Sequence, residues 1–263
     1  MDKVTAATIT SLMALGIAGP SVADEPTNPG LVKTTNNSDC LIWDANIKPG
    51  DSVYFDGKCA NGMANGFGKA IFQSFSDAGE TRESEYEGTF VDGKRHGPFR
   101  VWYADGGRFE GIYRDRKKNG PGIEEYKTGN RYEGSFKDNK RHGPGIFIYA
   151  DGSRYEGSYR NGNKHGHGVY TWPDGWRYEG PWEDGKRNGI GIYTSTKGYR
   201  HEGTWVDGKR EGPAKEVWND GTLVESTFLN DKRHGQAKGV KTDGDTWVRN
   251  YKNGVRHGSS SFT

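Results

Sequence analysis

The sequence predicts an all-β rod of tandem antiparallel β-hairpins. Three observations predict it: a scarcity of apolar residues combined with many rings, a fixed 23-residue spacing, and side chains that alternate two by two. Apolar residues are 31% of the 263-residue chain, well below the ~45–50% of ordinary soluble domains. Such a chain cannot bury a thick core. Disordered chains lack aromatics, yet 13% of residues here are Phe, Trp or Tyr. A thin architecture that stacks small units satisfies both facts.

The spacing comes from aligning the chain on Tyr132-Glu133-Gly134-Ser135-Phe136. Copies start at Phe55, Tyr86, Phe109, Tyr132, Tyr155, Tyr178, His201, Val224 and Trp247. After a first interval of 31, every interval is 23. The eight extra residues fall in Ser74 to Ser84, which reads as a polar loop. Nine copies at one period mark a repeat architecture.

Within Tyr132 to Arg154 the first half places Tyr132, Gly134 and Phe136 on one face and Glu133, Ser135 and Lys137 on the other. That period of two is a strand. Asp138 to His142 reads as a polar turn, Gly143 to Tyr149 as a second strand, and Asp151-Gly152 as the turn to the next copy. A hairpin closed symmetrically sets Phe136 opposite Gly143 and Gly134 opposite Gly145, so that rings lie across bare glycine backbone. The Gly143 position is glycine in all nine copies, and the Phe136 position is aromatic in eight.

The exception is Cys59, in the first copy. The only other cysteine is Cys40, and an even count in an exported chain predicts one disulfide. It would hold residues 24–54 as a cap over the first hairpin, with Trp43 covering exposed sheet; terminal repeats need such a cover. At the far end Ser226 and Arg249 replace the second glycine, a departure expected of a fraying end. Residues 1–23 read as a signal peptide, with Lys3, an apolar run to Gly19, the breaker Pro20 and a cut between Ala23 and Asp24. The run is shorter than the ~20 apolar residues of a spanning helix. The expectation is an exported protein, periplasmic or extracellular, with membrane association as a variant of it.

At Tyr132 to Gly145 the sequence resembles the MORN (membrane occupation and recognition nexus) repeat family. The likeness covers residues 55–263 and is nearest to the exported bacterial type with a cysteine in a leading cap. It implies an elongated single-layer antiparallel sheet, in agreement with the residues. It also implies scaffolding, protein interaction and, for some members, binding of acidic phospholipid. It brings no catalytic residue. Choline-binding and glucan-binding wall repeats fit less well, having a shorter period and no Glu-Gly after the first ring.

Function classes narrow by geometry. Equivalent residues of successive repeats stand about 10 Å apart, two strands at ~4.8 Å. His96, His142, His165, His234 and His257 hold one repeat position, so they cannot meet at one metal with its ~2 Å bonds. No metal or other cofactor is expected. Glu87, Glu110, Glu133, Glu156, Glu179, Glu202 and Glu225 form a ladder opposite the rings. Seven equivalent carboxylates offer no distinct acid and base, and the chain is read as no enzyme. A net charge of +2 argues against nucleic acid.

The candidate site is the basic turn in each repeat: Lys94, Arg95, Lys117, Lys118, Lys140, Arg141, Lys164, Lys186, Arg187, Lys209, Arg210, Lys232, Arg233 and Arg256. These would line one long edge, opposite Asp105, Asp151, Asp174, Asp220 and Asp243. The edge could track an anionic lipid or lipopolysaccharide, or serve only to keep sheet margins from aggregating. The ring face could stack a sugar chain, or be simply the core. The expectation is a non-catalytic scaffold for a protein or cell-envelope partner. Peripheral binding to anionic lipid is the alternative and carbohydrate binding a weaker one. Rods could also pair as a homodimer through their sheet ends.

Overall fold

The computed structural model describes residues 30–37, 39–44, 47–75 and 79–262. Residues 1–23, expected to be a signal peptide, lie outside them. Among the described residues there is no helix; strands follow one another as consecutive hairpins. Ser52–Phe55 pairs with Gly66–Phe75, which pairs with Thr81–Val91, and so on to Val255–Phe262. Each strand is hydrogen-bonded to its neighbours in sequence, giving one long antiparallel sheet. The fold read from the sequence is the fold found.

Alternation decides the faces. In Arg131–Lys137, Tyr132 and Phe136 are buried while Glu133 and Lys137 are exposed. Tyr132, Tyr155 and Tyr178 are 0% exposed although the sheet is one layer thick. Each lies flat on the glycines beside it. A Cβ on Gly134 would come 2.5 Å from the Tyr132 hydroxyl and 2.6 Å from the Gly145 Cα. The hydroxyls then donate to backbone oxygens three residues on: Ser135 (2.9 Å), Ser158 (3.1 Å) and Pro181 (3.2 Å). Edge-to-face contacts link each ring to the next along the rod, as in Tyr132–Phe136 (5.1 Å) and Tyr132–Tyr159 (5.3 Å).

Two details differ from the symmetric hairpin. Gly134 does face Gly145, but Phe136 faces Arg141, because the register shifts between Gly134 and Phe136. The extra residues form a bulge around Gly143, whose φ of 80° suits glycine. The ring–glycine pairing is made across repeats instead: Phe136 opposes Gly120 of the repeat before, and Gly143 opposes Tyr159 of the repeat after. The turn inside each repeat is also shorter than the sequence suggested. Asp138 and Asn139 both have positive φ, 49° and 68°, so two residues close a tight hairpin and Lys140 already begins the second strand.

Part of the insertion in the first interval is strand and not loop: Ser74, Phe75 and Thr81 to Ser84 are paired. Gly66–Phe75 and Thr81–Val91 stay in register out to Phe75↔Thr81, a longer hairpin with polar cross-strand contacts such as Gln73 to Glu83 (2.6 Å).

The N-terminal segment forms a small separate sheet. Leu31–Lys33, Leu41–Trp43, Met63–Ala64 and Cys59–Ala60 pair in that order. Cys40 and Cys59 are joined by a disulfide. Thr35 and Asn36 bond to Val53 and Phe55, covering the free side of the first sheet strand. Trp43 lies elsewhere, on the turn edge: its backbone N–H donates to the Gly93 carbonyl (2.9 Å) and Arg116 stands over its ring. Because the disulfide closes a loop of separation 19, Cys59→Ser is expected to cost about 3 kcal/mol in urea unfolding. An unchanged midpoint would mean that the cap contributes nothing to the sheet.

Candidate functional site: the two faces and the turn edge

The short turn divides the fourteen candidate residues. Counting by two from Lys140, the first basic residue of each pair points outward and the second points to the rings. Lys117, Lys140, Lys186, Lys209 and Lys232 are exposed and Lys94 is half-buried. Arg95, Arg141, Lys164, Arg187, Arg210 and Arg233 are half-buried, and Lys118 is buried. These inward cations sit over ring faces. Arg141 stands 5.0 Å from the Phe147 centroid and 5.3 Å from Tyr159; Lys164 stands 4.4 Å from Tyr170 and 4.8 Å from Trp182. They form the roof of the thin core. Arg256, on the last strand, is exposed.

The edge that remains is partly neutralised by the next turn. Lys117 meets Asp138 (3.2 Å) and Lys186 meets Asp207 (3.1 Å). On the opposite edge Asp105, Asp151, Asp174, Asp220 and Asp243 each accept the backbone N–H two residues on, bracing the turns between repeats. The glutamate ladder is exposed or half-buried, and four of its members pair with an arginine two residues back on the same strand, as Glu133–Arg131 (2.8 Å) and Glu156–Arg154 (2.6 Å). Such surface pairs add little stability.

The outer face also holds a groove. Between the glutamates its floor is Pro121, Ile123, Pro144 and Ile146 with Ser135 and Ser158, about 770 Å³ over three repeats. A separate stretch of about 570 Å³ runs from Ile190 past Pro213 to Lys238 further along the same face. The ring face, by contrast, is closed over its first rings. Among the described residues no three His, Cys, Asp or Glu gather as a metal would require.

Sequence reasoning missed two inward carboxylates, one half-buried and one buried. Glu124 and Glu216 occupy, in repeats three and seven, the inward position of Phe147. Glu124 pairs with Lys118 and accepts from the Tyr126 hydroxyl. Glu216 accepts from Tyr199 (2.6 Å), Ser226 (2.9 Å) and Arg233 (2.7 Å), with His201 Nδ1 at 3.4 Å. Ser226 is therefore a buried partner of that carboxylate, and not a mark of a fraying end. A carboxylate standing in a column of rings was the available signal.

The family's repeat profile matches residues 86–108, 109–131, 132–154, 155–177, 178–198, 201–223 and 225–246, more than half of the chain. The chain belongs to the MORN repeat family. Seven of the nine copies read from the sequence coincide with those MORN repeats; the first and last hairpins continue the same geometry on either side. No curated protein matches the chain. Among solved structures it is similar to the SAS-4 (dCPAP) TCP domain of Drosophila melanogaster, solved with a proline-rich motif of Ana2 (dSTIL). The identity is 11% and the TM-score 0.33, over 63% of this chain and 88% of that one. It is similar to a streptogramin B lyase at 13% identity and a TM-score of 0.18, over 75% and 90%. At these scores neither likeness carries an argument. MORN repeats serve as scaffolds for protein or membrane interaction.

The MORN core also sets a pH response. Burial, with Arg141 and Arg187 nearby, lowers the Lys164 amine to about 8. The folded chain then binds fewer protons than the unfolded chain between pH 8 and 10.5, so this lysine makes stability rise with pH there. Burial acts oppositely on tyrosines, raising Tyr132, Tyr149 and Tyr178 to about 12. Above pH 10 the unfolded chain ionises first and stability falls. Urea midpoints are expected to rise from pH 8 to 10 and drop beyond it, with the rise absent in Lys164→Gln. A rise that persists in that variant would assign it to another group.

Proposed function

We propose that the chain is a non-catalytic MORN rod that holds a protein partner in the groove of its outer face, in an exported, cell-envelope setting. The groove carries this reading: it recurs over several repeats, has a proline and isoleucine floor, and is rimmed by glutamates already paired to arginines. Open depressions that recur along the sheet, apolar at Pro121, Ile123, Pro144 and Ile146, suit a polypeptide segment better than a small substrate. No pair of carboxylates in it is set apart as acid and base.

The second reading is peripheral binding to anionic phospholipid or lipopolysaccharide through the outward lysines. Lys94, Lys140 and Lys232 favour it, since each basic residue near an anionic surface contributes ~1 kcal/mol. The Lys117–Asp138 and Lys186–Asp207 pairs count against it. Carbohydrate stacking on the first ring column has the least support, because those rings are covered.

A photo-crosslinking residue placed at Ser135, in the groove, or at Lys140, on the edge, separates these. A discrete protein adduct from position 135 in the cell envelope supports the scaffold. Lipid adducts from position 140 alone, with flotation on anionic vesicles lost at high salt, would replace it with the membrane reading.

A further inference from the structure

The inward cations are not alike. Arg95 lies 3.8 Å from Asp44, Lys118 pairs with Glu124, Arg210 lies 3.3 Å from Asp231, and Arg233 lies 2.7 Å from Glu216. The three between, Arg141, Lys164 and Arg187, make no ion pair with any carboxylate among the described residues. They touch rings instead, and Arg187 donates to the Gly208 carbonyl (2.7 Å). These three repeats are the ones in which the inward position is Phe147, Tyr170 or Tyr193; Glu124 and Glu216 close the window at either end. The result is a column of three cations without an ion-pair partner, about 10 Å apart along the rod, of which Arg187 alone feels a carboxylate at longer range, that of Asp231.

A second observation falls in the same window. Tyr159 is 4% exposed, and its hydroxyl is buried with no protein partner. Its counterparts have no such problem. Phe90, Phe136 and Phe228 carry no hydroxyl, Tyr113 bonds to Tyr103, and the Trp182 N–H donates to the Gly168 carbonyl (3.3 Å). Packing alone would be met by phenylalanine, and an unpaired buried hydroxyl costs stability. Arg141 stands over this ring. Beside the column runs a strip of half-buried rings in mutual contact: Tyr149–Tyr170 (5.8 Å), Tyr170–Trp172 (4.6 Å) and Trp172–Tyr193 (5.4 Å).

We propose that this window on the ring face, repeats four to six, binds a linear acidic polysaccharide bearing one carboxylate per disaccharide. Successive carboxylates meet Arg141, Lys164 and Arg187. Arg141 lifts from the Tyr159 ring to meet its carboxylate, which opens the enclosed Tyr159 hydroxyl to donate to that same carboxylate, and sugar faces lie along the strip from Tyr149 to Tyr193. The spacing selects the class. A disaccharide advances by about the distance between repeats, whereas a polymer charged at every phosphodiester would leave most of its charges unmet. A lipid surface would meet the outward lysines before these recessed cations. The site is on the face opposite the groove, so it stands or falls independently of the scaffold reading.

The test is calorimetric titration of the full chain with hyaluronan oligosaccharides, which carry one carboxylate per disaccharide. Neutral dextran and anionic phosphatidylglycerol vesicles serve as comparisons. The expected result is binding of hyaluronan alone. Tyr159→Phe should weaken it about tenfold, as for a lost hydrogen bond to a charged group, while the melting temperature stays level or rises. Lys164→Gln should weaken it similarly, and a Lys117→Gln, Lys140→Gln double variant should leave it unchanged. No binding of hyaluronan, or binding indifferent to Tyr159→Phe, would overturn the proposal. So would vesicle binding that depends on Tyr159, which would make the ligand a lipid.

Discussion

Gly134→Ala is expected to cost about 3 kcal/mol, near the upper end for overpacking a tight core. The added methyl would lie 2.5 Å from the Tyr132 hydroxyl and 2.7 Å from its ring, with the Gly145 backbone behind it. The ring cannot retreat, because its hydroxyl is tied to Ser135 and its edge is packed by Phe136 and Tyr159. Gly143→Ala is the control. It meets nothing closer than the Ser135 Cβ at 3.6 Å, so only the left-handed backbone at φ 80° resists it, at about 1–2 kcal/mol. Urea unfolding of the two variants measures the difference. Equal costs would mean that glycine serves backbone conformation at both positions and ring packing at neither.

The same substitution probes cooperativity. A rod of repeats is held by nearest-neighbour interfaces, and Tyr132 bridges its own repeat and the next through Tyr159. Damage at Gly134 should split unfolding into two steps, with amide exchange faster in repeats three to five than in repeats one and eight. A single shifted transition would show that coupling extends beyond neighbours.

Much of this architecture is legible in the chain because strand alternation has a period of two. Tyr132 and Phe136 inward, Glu133 and Lys137 outward, and the Cys40–Cys59 link all follow from residue order. What escaped was register. Asp138-Asn139 had the composition of a two-residue turn. Extending the alternation from there would have sent Lys140 out and Arg141 in. The bulge at Gly143 could not be read, because glycine supports a flat strand and a left-handed kink alike. Ser74 to Ser84 reads as a loop for want of apolar residues, yet Ser74, Phe75 and Thr81 to Ser84 are held in the hairpin by cross-strand pairing, polar contacts among it. The candidate edge therefore proved to be two different surfaces. The groove is visible only when Pro121, Ile123, Pro144 and Ile146, from two hairpins, are brought side by side.

Glu216 is where removing one charge should do most harm. Its side chain is fully enclosed and gathers Tyr199, Ser226 and Arg233, with His201 close by. Glu216→Gln keeps the shape but turns an amide N–H₂ toward one of these donors and leaves Arg233 without its ion pair. The expected loss is about 3 kcal/mol at pH 7, as when a buried pair is broken from one side. Removing both ends by Glu216→Phe with Arg233→Met restores the ring found in repeat four and should recover most of that loss, since two desolvated charges disappear together. Acid supplies an independent check. Burial raises the Glu216 pKa, but hydrogen bonds from His201, Tyr199 and Arg233 outweigh it and bring the carboxyl from 4.5 down to about 2. A depressed carboxylate stabilises fully above pH 4.5, and that stability drains away as pH falls toward 2. The gap between the natural chain and Glu216→Gln should thus be full at pH 7 and smaller at pH 3. A gap independent of pH would show that the loss comes from packing, with the charge of Glu216 playing no part.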